Sequence, residues 1–474
     1  MVLDQITLCG ILLICSAYFF ARNLPDKNWI LYSILLVGLV HAVIAILQFA
    51  HLIDANHETF SITGLMGNPG QLGGFQSAAL VCTLSLLFKT REKGIFAILL
   101  CVAILIFFSL ILSDSRAGLF AAVIGISVLS YNCWIGYLLR NKWLCLLAIV
   151  LIVGLFVLLY LYRPESVDSR LLVWRVCTDM FADKPLTGYG IWGFNHNYML
   201  YQGEYLLSNP NHRMYFLADN VTYPYNEAIR ILVEQGLIGF VLVVIVLVVH
   251  VKSAENKKDI APLITFLIFS MFSYPSYKLG LVLLFPLLLG VLSSPAEFAT
   301  YRKISLLISL GLVVMCIAFV KIKEDYFISR VSNVYESGGR EDDEINRLFI
   351  ANSNCIKINS SYSTLTKHFP EFLNNETIPL IFPSSDNWCI LGDYYLSKGD
   401  FDKSGKFYTQ ASYMTPGLVT PKYLLWKLYV LQGKMIEAQC VADSILRMQV
   451  KVENTTTLRL RNKVLTYDYS IHEE

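Results

Sequence analysis

The feature that most constrains this chain is a repeated one: apolar runs as long as a bilayer is thick. A membrane span needs about 17–25 residues with few charges. Such runs occur near 6–21, 28–50, 71–88, 94–112, 118–139, 143–162, 226–250, 259–274, 278–293 and 303–320. With no water to satisfy the backbone inside lipid, each run must be a helix. The expectation is an all-α, polytopic membrane helix bundle of about ten spans. The pair between 259 and 292 is short and interrupted by SYPSYK, so a re-entrant hairpin is the alternative there. Ile6–Phe20 lacks a basic leader and a small-residue cleavage site, and reads as the first span rather than as a signal peptide.

The composition agrees: 55% of the 474 residues are hydrophobic and 16% are charged, against about a quarter charged in soluble proteins. A net charge of +2 spread along the chain gives no footprint for a nucleic acid. Basic residues nevertheless segregate. One alternate set of short loops holds Arg22, Lys27, Lys89, Arg91, Arg140, Lys252 and Lys303, while the opposite set has little besides Arg116 and Lys278. By the positive-inside rule the first set is cytoplasmic. The N-terminus, the long polar stretch 167–240 and the C-terminal part are then expected outside. Divisions at 1–162, 163–225, 226–321 and 322–474 follow: a first bundle, a large loop, a second bundle and a soluble domain.

Seven of the 11 cysteines lie within apolar runs, where they serve as small hydrophobes. No CxxC pair or metal-ligand spacing is present. A disulfide among Cys355, Cys389 and Cys440 stays open, because sequence does not give connectivity.

Three outward features carry candidate chemistry. TGLMGNPGQLGG leads into the third span, where Asn68 and Gln71 can turn amides toward a cavity; the alternative for Asn68 is a helix cap. SDSRAG (113–118) breaks two span ends and puts Arg116 at membrane depth, a place where charge by default marks a site. The alternative is an arginine paired with Asp114 and snorkelling to the surface. The large loop brings Arg170 and Arg175, whose five-residue spacing turns them well apart around a helix. It then brings Asp219, Tyr225, Asn226, Glu227, Arg230 and Glu234. The last two carboxylates neighbour Arg230 on one face, so a salt-bridged helix start is the structural alternative.

Arg170, Trp174, Pro185, Gly188 and Gly190, followed by Asn226, Glu227, Glu234, Gly236 and Gly239, form an ordered set. This set, with GNPGQLGG and SDSRAG ahead of it, resembles the O-antigen ligase and polymerase family over roughly residues 60–290. The resemblance implies a GT-C-like membrane glycosyltransferase in the bacterial inner membrane, with the large loop and C-terminal domain in the periplasm. It implies a polyprenyl-diphosphate-linked glycan as donor and a glycan, lipid A-core or protein hydroxyl as acceptor, with membrane lipid around the bundle and no cofactor. Arginine suits the charge that develops on a diphosphate leaving group. Arg116 and Arg170 are first for that role, then Arg175 and Arg230. With no acidic cluster apparent in the outer loops, a metal-independent reaction is expected. Many members place His where this chain has Tyr225, and a tyrosine of pKa about 10 is a poor base at neutral pH. Asp219, Glu227, His196 and His212 are the candidates in its place.

From Asp386 the text fits the tetratricopeptide pattern at Trp388, Leu391, Gly392, Tyr395, Tyr408, Ala411 and Pro416. A second copy is offset by 34 residues (Tyr395 to Tyr429, Gly399 to Gly433). Such repeats imply a protein partner; stacking against the large loop is the structural alternative. A glycan polymerase is the nearest functional alternative, and a transporter or a non-catalytic scaffold the alternatives of another class.

Overall fold

The computed structural model describes residues 5–131 (except 56, 58 and 59), scattered positions between 143 and 161, and 164–210. It further describes 215–254, 257–294, 299–336, 383–450 and 453–467. All regular structure among them is helical.

The bundle comprises α1 (Gln5–Asn23), α2 (Asn28–Phe49), α3 (Pro69–Lys89), α4 (Lys93–Leu112), α5 (Arg116–Leu129), α8 (Glu227–Ser253) and α9 (Ile260–Ser270). The short α10 (Leu279–Val282) and α11 (Leu284–Leu292) and the long α12 (Ala299–Glu336) complete it. Among the described residues five helices are long and apolar enough to cross a membrane: α2, α3, α4, α8 and most of α12. Those at the first, fifth, eighth and ninth expected spans are shorter apolar helices. The expected run 143–162 and the end of 118–139 lie outside the described residues. α12 also runs unbroken across the expected boundary at 321.

Three of the helices that meet at the large loop's end of the bundle begin on a side-chain cap. Asn68 accepts from the backbone N–H groups of Gly70 and Gln71 ahead of Pro69, Ser115 accepts from Gly118, and Asn226 accepts from Ala228 and Ile229. These caps satisfy N–H groups that an α-helix leaves unpaired at its start. α3 is the central strut, buried along nearly its whole length by α2, α4, α5 and α9. Glycines permit that closeness. A Cβ on Gly73 would lie 2.1 Å from the Ser115 Cβ, one on Gly74 2.1 Å from the Phe269 ring, and one on Gly125 1.9 Å from Thr265 Oγ1. Close backbone approach through small residues is how helices associate where lipid supplies no hydrophobic drive.

One end of the bundle gathers the basic residues. Lys89 pairs with Asp259 at 2.6 Å and donates to Asn28, Arg22 donates to the Ser294 carbonyl, and Tyr18 bridges His250 and Ser293. The starts of α3, α5 and α8 lie at the opposite end, where Trp192 also reaches Thr7 of α1.

There the large loop folds as α6 (Pro164–Asp183) and α7 (Gly193–Ser208). The C-terminal helices α13 (Ser385–Ser397), α14 (Phe401–Met414), α15 (Val419–Leu431), α16 (Met435–Arg447) and α17 (Thr455–Leu465) follow. Gly399 and Gly433, 34 residues apart, both turn with positive φ between paired helices. The first pair shares a core with the loop, in which Trp388, Cys389, Ala411 and Met414 pack on Val176, Cys177, Phe194 and Tyr198. The packing foreseen as the alternative for the repeats is therefore realised by α13 and α14. Cys389 is a free thiol inside that core and Cys440 a free exposed one, so no disulfide joins them; Cys355 lies outside the described residues.

Candidate functional site

The site is built where α3 and α5 start side by side. Ser115 Oγ donates to the Gly70 carbonyl at 3.2 Å, and a Cβ on Gly118 would lie 2.6 Å from the Gly73 carbonyl oxygen. Two helix N-termini thus share one corner, each presenting positive potential. Arg116 opens α5 and donates to Ser166 Oγ of α6 at 3.2 Å. Arg170, one turn further along α6, donates to the Phe272 carbonyl at 3.1 Å and lies over the Tyr225 ring at 5.3 Å. Burial pushes the Arg170 guanidinium down from its usual value; Tyr225 pulls it up and the charge of Arg116 pushes it down again. The two arginines are therefore near enough to feel each other.

Tyrosines line the corner. Tyr223 stacks on Tyr274 with centroids 4.0 Å apart, Tyr225 meets Tyr274 edge-on at 5.5 Å, and Tyr277 meets Tyr223 at 4.6 Å. Tyr277 donates to Asn195, which in turn donates to the Thr222 carbonyl. Tyr225 adopts a positive φ of 55°, an uncommon conformation for a bulky residue. Its hydroxyl is raised above the ordinary range by burial, against the pull of Arg170 and with a further push from Asp219. A hydroxyl raised in this way is a poor base.

The expected site residues divide into groups. Arg116, Arg170, Tyr225 and Asp219 share this corner, Asp219 through its charge on Tyr225. Gln71 sits fully buried under it against Tyr274, and neither of its amide atoms makes a well-formed hydrogen bond. Asn68 and Asn226 both spend their side-chain oxygens as caps.

Glu227, expected as a base, has both oxygens engaged: Oε2 with Arg230 at 2.6 Å and Oε1 with the Ser276 backbone N–H at 3.1 Å. Arg230 binds Glu227, Glu234 at 2.7 Å and Ser276 Oγ, and acts as a brace. Arg175 points away, exposed and paired with Asp179 at 2.9 Å. His196 lies on α7; His212 is outside the described residues.

Gly188, Gly190 and Gly236 of the ordered set meet in one place. Gly236 breaks α8 with φ 64° and ψ −167°. In a continuous helix the N–H groups of Leu237 and Ile238 would bond the carbonyls of Val233 and Glu234. Instead Leu237 and Ile238 donate to Pro185 and Leu186 at 2.8 and 3.2 Å, while Tyr189 and Gly190 donate to Val233 and Glu234 at 2.9 and 2.7 Å. The Pro185–Gly190 turn is inserted into the ladder of the helix. A Cβ on Gly188 would lie 2.5 Å from the Glu234 carbonyl carbon, so both strands of the insertion require glycine.

Sequence reasoning missed Tyr223, Tyr274 and Tyr277. SYPSYK reads as the interruption between two short spans, and its two tyrosines in six residues are the signal that could have marked a lining.

Fold and site together define a polytopic α-helical membrane protein with a cationic, tyrosine-lined corner at one end of its bundle. Residues 101–244, from α4 through SDSRAG and the large loop into α8, match the family model described as O-antigen ligase. The match covers less than a third of the chain, and over that stretch it supports the O-antigen ligase family and bears out the resemblance read from the motifs. The match supports a membrane glycosyltransferase of the ligase and polymerase type. No curated protein and no solved structure matches the chain.

Proposed function

We propose that the chain moves a glycan from a polyprenyl diphosphate to an acceptor hydroxyl at the non-cytoplasmic face of the inner membrane. The observation that carries this reading is the convergence of Arg116, Arg170 and the paired starts of α3 and α5 beside Tyr225. In the reaction the acceptor oxygen bonds to the anomeric carbon as the bond from that carbon to the diphosphate oxygen breaks. The leaving polyprenyl diphosphate takes the electron pair. Guanidinium groups fixed in a partly dry corner stabilise that charge as it forms, so no metal is called for. The acceptor's proton goes to Asp219, whose Oδ1 accepts from the Asn220 N–H at 2.9 Å and whose charge acts on Tyr225, whereas both oxygens of Glu227 are committed to Arg230 and Ser276. Tyr223 and Tyr274 offer ring edges to sugar.

The gathering of Lys89, Lys27 and Arg22 at the far end of the bundle supports the orientation. The 34-residue recurrence of the Gly399 and Gly433 turns supports the tetratricopeptide-like reading of the tail. The tail favours a protein acceptor or partner, with a polysaccharide polymerase as the nearest alternative.

The test is complementation of a deletion strain, read as surface polysaccharide length, lipid A-core capping and protein glycosylation. Arg116→Ala and Arg170→Ala are each expected to abolish the missing product while the protein accumulates normally. Transfer that survives both substitutions would end the proposal.

A further inference from the structure

The segment from Ala218 to Asn226 carries Asp219, Tyr223 and Tyr225, yet has no helix or strand of its own. A backbone without a ladder is only as fixed as the groups that bind it. Its far half is held by the large loop: Asn195 donates to the Thr222 carbonyl and Trp174 Nε1 to the Pro224 carbonyl, both at 2.9 Å. Its near half, around Asp219, is held by the C-terminal helices.

Asn220 makes a two-pronged bond to the start of α13. Its Oδ1 accepts from the Ser385 N–H at 2.9 Å and its Nδ2 donates to Asp386 Oδ2 at 3.0 Å. Gln202, fully buried on α7, donates through Nε2 to the Asp219 carbonyl at 3.0 Å and to the Met414 carbonyl at the end of α14 at 2.7 Å. Tyr198 donates to Gln202 Oε1 at 2.8 Å, which fixes the amide's orientation. Gly417 closes the contact, since a Cβ there would lie 2.4 Å from the Phe216 carbonyl oxygen.

We infer that the first C-terminal helix pair is a positioning part of the catalytic site: through Asn220, Gln202 and Asp386 it holds the segment that presents Asp219. The inference rests on the proposed transfer reaction and assigns a task to a domain otherwise read as a partner-binding tail. Asn220, Gln202 and Asp386 are positioning residues, each acting through Asp219. Displacing a reacting group by about 1 Å costs on the order of 100-fold in rate. Loosening the clamp therefore lowers turnover without weakening the grip on a donor held by Arg116 and Arg170.

The experiment uses the full chain in nanodiscs, with a polyprenyl-diphosphate-linked oligosaccharide as donor and hydrogen exchange over 216–226 as a second readout. Asn220→Ala and Asp386→Ala are expected to lower kcat by roughly 10- to 100-fold, with the donor KM unchanged and exchange at 216–222 faster. Asp386→Asn keeps an acceptor oxygen for Asn220 and restores both readouts. Combining Asn220→Ala with Asp386→Ala does no more harm than Asn220→Ala alone. Wild-type kcat in both alanine variants, or a raised KM at unchanged kcat, overturns the inference. Should the wild-type chain transfer no lipid-linked glycan at all, the functional reading falls by itself. Exchange then decides the clamp: unaltered exchange at 216–222 in Asp386→Ala overturns it, and faster exchange confined to that half of the segment upholds it.

Discussion

Replacing Gly236 by alanine tests whether the inserted turn is what shapes the start of α8. The added Cβ would lie 2.2 Å from the Leu186 carbonyl oxygen, on a backbone at φ 64° and ψ −167°. That region of φ/ψ space is essentially closed to residues other than glycine and costs about 1–3 kcal/mol. Neither the strain nor the clash is relieved while the turn stays, so the cheaper response is to expel it. Expulsion loses the four hydrogen bonds joining 185–190 to 233–238, each worth about 0.5–1.5 kcal/mol. α8 then closes its own ladder across 233–238 and recovers two of the four. Undocking therefore costs about 1–3 kcal/mol, which keeps the wild-type turn docked by roughly 5- to 150-fold. In Gly236→Ala the backbone strain alone cancels that preference, and the 2.2 Å clash added to it tips the equilibrium to the undocked turn. Hydrogen exchange resolved over 183–190 and 233–240 reads it directly. The amides of Tyr189 and Gly190 should lose protection in Gly236→Ala, while those of Leu237 and Ile238 keep theirs in the continuous helix. Protection of Tyr189 and Gly190 equal to wild type would refute the reasoning, because among the described residues Val233 and Glu234 supply the backbone acceptors of those two amides.

Other substitutions separate brace from site. Arg230→Ala strands Glu234, whose side chain is 1% exposed, and should cost about 3–5 kcal/mol. Arg175→Ala removes a surface pair and should cost at most about 1 kcal/mol; equal thermal midpoints for the two variants would contradict this division. Gly73→Ala drives a Cβ into Ser115 at 2.1 Å and displaces the start of α5 with Arg116, so transfer should fall while expression holds; wild-type transfer would refute it. For Tyr225, whose hydroxyl is raised by burial, the folded chain retains a proton that the unfolded chain releases. Its stabilisation is whole below the ordinary tyrosine value of about 10 and is lost as pH rises through the higher folded value. Tyr225→Phe should therefore blunt the alkaline fall in stability above about pH 10, and identical alkaline profiles for the two proteins would exclude that account.

How far the fold was legible from sequence differs by kind of signal. Spans α2, α3, α4 and α8 announce themselves because hydropathy over a bilayer's length is a local property. The runs at 259–274 and 278–293 are also visible but shorter, and they form the short helices α9 and α11. In the site, the five-residue spacing of Arg170 and Arg175 already separates them, and the structure turns one to Tyr225 and leaves the other with Asp179. For Glu227 the spacing from Arg230 is visible along the chain, but its bond to Ser276, 49 residues away, is not. The same limit hid Tyr274, which meets Tyr223 only through the fold.

The glycine motifs carry the sharper lesson. Pro185–Gly190 and Gly236–Gly239 look like two unrelated turn signals when read along the chain. In space one is threaded into the hydrogen-bond ladder of the other, and Gly188 and Gly236 each have no room for a side chain because of the opposite strand's carbonyls. The insertion ties α6 and α7 to the first turns of α8, and the segment bearing Asp219 and Tyr225 bridges that same junction from α7 to Asn226. An arginine on α6 and a tyrosine ahead of α8 can therefore face each other at 5.3 Å without direct covalent proximity. The backbone bonds of this insertion add to the side-chain bonds that hold the segment between α7 and α8. Substitutions at Gly188 and Gly236 should therefore impair transfer as severely as substitutions at the arginines.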